Sequence, residues 1–160
     1  MSAGATKPKT PRASVFFENL ECHVQNDILI TLAGEISQLN HKRFTVAASL
    51  LTRALFESCL VYKLKVTKKW GVLIKEYQDQ TGRNGGDPGL QEIIKFCAKF
   101  DNGVFVERNI CKTLSSSSTT QAKVYLDAIV HMKYQEADPI TLESIANHLR
   151  QIITHILAGN

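Results

Sequence analysis

The sequence predicts an all-α fold, a bundle of about five to seven helices. Three observations carry this. The stretch Phe44–Val66, FTVAASLLTRALFESCLVYKLKV, contains no Gly, Pro or Asn and is apolar nearly all the way round, as a helix buried among other helices is. Apolar residues recur at spacings of three and four through most of the remaining chain. Only Val104–Lys112 is ambiguous between strand and helix, and it is read as helix; no internal repeat is present.

Taken in order, residues 1–13 are small, polar and Pro-containing, which predicts a flexible tail or linker. Residues 14–158 are expected to form one domain. A first helix is predicted from an N-cap at Ser14 to about Leu39, with a stripe of Phe17, Leu20, Val24, Ile28, Leu32, Ile36 and Leu39. A short turn at Asn40–Lys42 folds the central helix back on it. Trp70, Leu73, Ile74 and Tyr77 predict a shorter helix over 68–80. The loop 81–89, TGRNGGDPG, ends in Asp87-Pro88, read as N-cap and first helical residue. A helix follows to about Phe100, then a turn at 101–103. SSSSTT at 115–120 breaks the chain and supplies caps for a helix over Thr119–His131. The last helix, about Thr141–Leu157, follows Asp138-Pro139 and buries Leu142, Ile145, Leu149, Ile152, Ile153 and Ile156.

Composition excludes several classes. With 44% apolar and 21% charged residues the chain is an ordinary globular domain, and a net charge of +4 permits nucleic-acid contact without demanding it. The central helix is too short and too interrupted, by Arg53 and Glu57, to span a bilayer, so no membrane association is expected. Cys22, Cys59, Cys97 and Cys111 form no close-spaced pair, so no metal site is expected. The polar N-terminus lacks the apolar run of a signal peptide, which points to a cytoplasmic protein with reduced, mostly buried thiols. The Gly-rich loop matches neither phosphate-binding pattern and follows no strand; no cofactor is expected.

Two constellations could carry chemistry. Lys123, Asp127 and His131 are spaced four and four, so they form one polar stripe on a helix, opposite Val124, Ala128 and Ile129, which are buried candidates. An acid one turn away orients a histidine and raises its pKa, and a lysine steadies developing negative charge. The plainer alternative is a solvated face capped by His131. The second constellation is Arg150 and His155. Five residues apart on one helix, they point about 140° apart and converge only through a bend or a dimer interface. Their plainer alternative is the surface of a terminal helix. Arg53 and Glu57, four apart, are either a bridge at a seam between helices or part of a polar site.

The segment YLDAIVHMKY resembles the signature region of HEPN domains, helical bundles of prokaryotic toxin–antitoxin, anti-phage and RNA-processing systems. FFENLECHVQNDILITLAGEISQLN and TVAASLLTRALFESCLVYKLK are similar to the family's two leading helices, and similar segments occur at the ends of ParB-like nuclease and other defence-associated proteins. The family's motif is an arginine, a polar residue, and a histidine four to six residues after the arginine. Asp127 and His131 match it; Leu126 stands at the arginine and departs from it. The resemblance implies a homodimeric, metal-independent ribonuclease in which the histidine moves the proton of a ribose 2′-hydroxyl and a cation stabilises the phosphate. Its partners would be RNA and a larger defence protein. The cation would have to be Lys123, Arg53 or, if RQIITH is the motif, Arg150 with His155. The competing reading is a non-catalytic dimerisation or protein-interaction module.

Overall fold

A computed structural model describes residues 16–82 and 86–160. The expected tail at 1–13, the Ser14 cap and the middle of the 81–89 loop lie outside the described residues. Within them the chain is all-helical: α1 Asp27–Gln38, α2 Thr45–Val66, α3 Trp70–Thr81, α4 Leu90–Ala98, α5 Arg108–Ser115, α6 Ser117–Val130 and α7 Pro139–Leu157. Short 3₁₀ turns stand at Phe100–Asn102 and Tyr134–Glu136. No strand occurs among the described residues; residues 104–107 are irregular and α5 takes the rest of the ambiguous stretch.

α2 is the hub and packs against α1, α4, α6 and α7. Leu55, Phe56, Cys59, Leu60 and Leu64 face the core, where they meet the α7 stripe, every predicted member of which is buried. The other side of α2 stays at the surface, with Leu50 38% and Phe44 47% exposed. By length and composition α2 is the one described helix able to cross a membrane, but it is packed against five other helices, α3 included.

Helix boundaries follow local chemistry. Asp138 accepts from the Thr141 amide and Pro139 opens α7, the expected pairing of cap and proline. Ser116 caps α6, so the serine run interrupts the helices at a single residue. Asp87-Pro88 does not start α4: Gly89 is its N-cap, and Pro88 is buried in the extended segment before it.

The first predicted helix is corrected. It starts at Asp27, where Asn26 Oδ1 accepts from the Leu29 amide at 3.0 Å. Residues 16–25 are an irregular strap, with Phe16 (φ 78°) and Asn19 (φ 58°) left-handed and so incompatible with a helix. Phe17, Leu20 and Val24 are buried as expected, but in the strap, and Ile28 is 63% exposed. Three contacts hold the strap. Arg150 donates through Nη1 and Nη2 to the Phe16 and Glu18 carbonyls at 2.8 and 2.9 Å. The His23 amide donates to the Leu157 carbonyl at 2.8 Å. Phe16 stacks on His41 with ring centroids 4.6 Å apart, and His41 Nε2 meets Glu143 Oε1 at 2.6 Å.

Two charge-assisted bonds to carbonyls give a prediction. Arg150→Ala is expected to lower stability by about 1–3 kcal/mol and to expose residues 16–23 to hydrogen exchange before the rest of the chain. Unchanged exchange in the strap would show that the apolar contacts alone hold it.

Candidate functional site

Two polar pairs fix α2 alongside α6. Ser49 Oγ meets the Tyr125 hydroxyl at 3.1 Å, and that hydroxyl also accepts from the Asp138 amide at 3.2 Å. One turn on, Arg53 Nε donates to Asp127 Oδ1 at 3.2 Å. The spacing of four on each helix then extends the contact into a row. Arg53 Nη1 donates to Glu57 Oε2 at 2.6 Å, and Lys123 Nζ donates to Asp127 Oδ2 at 2.5 Å. The row Glu57–Arg53–Asp127–Lys123 sits at the seam between helices, its side chains 21–32% exposed.

Two cations and two carboxylates leave the row neutral. Burial alone would push the Asp127 carboxyl up; hydrogen bonds from Lys123 and Arg53, and their charges, outweigh it and hold the group below the usual carboxylate range. Asp127 is therefore an ionised acceptor with both oxygens engaged. Arg53 has Nε and Nη1 committed to carboxylates, so its charge is compensated before any phosphate arrives.

His131 stands outside the row. It is the C-cap of α6, and the helix ends there because Met132 takes a left-handed conformation (φ 66°). The Met132 and Lys133 amides turn back to the Ile129 and Ala128 carbonyls at 3.1 and 3.0 Å. The His131 side chain is exposed, and all hydrogen bonds that Lys123, Asp127 and Arg53 make to side chains go to one another or to Glu57. Of the predicted stripe, Lys123 and Asp127 meet; His131 does not join them. Leu126 is a core residue, 1% exposed, and so is Ile129, whereas Val124, expected to be buried, is 62% exposed.

Arg150 and His155 are not brought together. Arg150 is spent on the strap. His155 Nε2 approaches Glu107 Oε2 to 3.2 Å, beside the Phe105 ring, but out of line for a hydrogen bond, so both buried atoms lack a hydrogen-bond partner. Neither is a plain surface residue. The Glu107 and Glu143 partnerships went unread in the sequence because they join residues far apart in the chain. His148 was also missed; it shares a hydrogen bond with Thr119 Oγ1 at 2.7 Å, and burial pushes its pKa down.

Cys59, Cys97 and Cys111 are buried free thiols and Cys22 is half-buried; burial pushes the Cys97 thiol up to about 12, which makes it unreactive. No cluster of three or more His, Cys, Asp or Glu that could hold a metal ion occurs among the described residues. Compared with known protein families, curated proteins and solved structures, the chain has no match.

Proposed function

We propose that this chain is a HEPN-like helical module that acts by association rather than cleavage. In this reading it is a homodimer in the cytoplasm and serves an RNA-associated defence or toxin-type system of prokaryotes. The observation that supports it is the neutral row Glu57–Arg53–Asp127–Lys123, which spends the motif's polar position on a bridge between α2 and α6. Leu126 is in the core, and among the described residues His131 forms no ion pair and no side-chain hydrogen bond to Lys123, Arg53 or Asp127. Phe44 just before α2, Leu50 of α2, and Val130 and Met132 at the end of α6 remain 38–74% exposed. Apolar residues left in water on adjacent elements mark a contact surface.

A second reading is favoured by one feature. His131 is exposed at this same end, so a two-fold contact there would bring two copies of it together, as a dimeric ribonuclease requires.

One experiment separates the two. Sedimentation is expected to give a dimer, and Leu50→Glu is expected to weaken it by about tenfold or more. RNA incubated with the protein and EDTA is expected to stay intact. A monomer at every concentration sinks the association reading. EDTA-resistant cleavage that disappears in His131→Ala establishes the ribonuclease instead.

A further inference from the structure

A cleft of about 550 Å³ opens between α4 and α6, closed at one end by the last residues of α5. Its floor is aliphatic: Ile94 and Leu114 are buried, and Ala98 lies beside them. Val124, 62% exposed, extends the apolar surface up one wall. Lys95, Lys99 and Lys123 complete the lining, which contains no carboxylate. Lys123 is held by Asp127, but Lys95 and Lys99 enter no ion pair among the described residues. Both border a shallower depression that holds Glu76 and Glu92, outside this cleft.

We propose that this cleft is the docking groove for an acidic amphipathic helix of a partner protein. An aliphatic trough between two helices accepts the apolar anchors that a helix presents at spacings of three and four. Unpaired lysines then meet the carboxylates flanking those anchors. Three features of the lining select this occupant. Single-stranded RNA binds by stacking its bases on aromatic or arginine planes, and the cleft has neither. Small-molecule sites fix their ligands with convergent, directional donors. Here the hydroxyls of Ser115 and Thr119 already donate to the Cys111 and Thr113 carbonyls at 2.8 and 2.6 Å. Thr120 Oγ1 likewise faces the Ser116 carbonyl at 3.5 Å, which leaves the Gln91 amide and the lysine ammoniums as donors, and the ammoniums suit paired carboxylates on a helix. Neither Phe44 nor Leu50 lines the groove, so the proposal goes beyond the dimer reading and stands without it.

The test is selection of helix-length peptides from a random library on the immobilised full chain, followed by anisotropy with the enriched sequences. Enriched peptides are expected to carry Asp or Glu around Leu, Ile or Phe at helical spacing and to lose affinity in high salt. Lys95→Glu/Lys99→Glu and, separately, Val124→Asp are expected to weaken them by about tenfold. All three positions are exposed, so the variants should melt like the parent. No enrichment, or enriched peptides indifferent to both variants, overturns the proposal. So does single-stranded RNA that displaces the peptides and depends on the same lysines. A sedimentation mass that halves in the double lysine variant would make a second copy of the chain the occupant, and would equally overturn it.

Discussion

Leu126→Arg is expected to unfold the protein rather than restore a catalytic cation. Under the proposed HEPN-like reading, the substitution would supply the motif's arginine at the position Leu126 occupies. Position 126, however, is 1% exposed and lies in the α6 stripe with Ala122 and Ile129. Removing the leucine forfeits roughly 2–3 kcal/mol of burial. An unpaired guanidinium in its place costs several kcal/mol more. The nearest carboxylate in sequence, Asp127, already accepts from both Arg53 and Lys123. The sum exceeds about 4 kcal/mol, a large share of the roughly 5–15 kcal/mol that holds a domain together. Urea unfolding followed by circular dichroism should find little cooperative transition, while Leu126→Met should stay within about 1.5 kcal/mol of the parent. A folded Leu126→Arg variant that cleaves RNA would show that the arginine escapes to the surface and that the ribonuclease reading was right.

The second large effect belongs to Asp127. Asp127→Ala leaves Arg53 and Lys123, both about three-quarters buried, with only Glu57 between them. Breaking a fully buried pair costs about 3–5 kcal/mol; at this exposure about 2–4 kcal/mol is expected. For a chain of this size each kcal/mol moves the melting temperature by about 2–4 °C. Removing Lys123 as well, as Lys123→Met, should recover part of the loss, because one stranded cation disappears with it. The row also has a pH signature. The folded Asp127 carboxyl is harder to protonate than the unfolded one, so its contribution is complete above the unfolded value near 3.9 and is lost as pH falls through the lower, folded value. The parent should lose stability on acidification below about pH 4 more steeply than Asp127→Asn. A melting temperature unmoved by Asp127→Ala would mean the row is surface decoration.

Periodicity located α2 because its apolar run is long, and α6 and α7 because Ser116 and Asp138 cap their apolar stripes. It failed at residues 16–25 for a specific reason. Phe17, Leu20 and Val24 have helical spacing and are buried, but spacing reports burial on one side, not the backbone that achieves it. The left-handed Phe16 and Asn19 and the true cap at Asn26 decide the backbone. Charge was read with similar limits. Arg53 could be suspected of reaching α6 because an ion in an apolar helix needs a partner. That its partner is Asp127 rather than His131 depends on the register of two helices, which spacing along one chain segment does not give. The bonding of Arg150 to the strap left no trace, since it bonds backbone carbonyls and any residue supplies those.

The strap has a consequence for how the chain is made. Arg150 bonds to Phe16 across 134 residues of sequence. Chain leaves a ribosome N-terminus first, and contacts of such separation form only after the intervening loop has closed. The bonds from Arg150 to the Phe16 and Glu18 carbonyls and from the His23 amide to Leu157 therefore cannot form until α7 has emerged. Until then the strap lacks the Arg150 and Leu157 bonds that hold it in the folded chain. Slowing translation between the strap and α7 would lengthen that interval, and α7 is the helix that closes it.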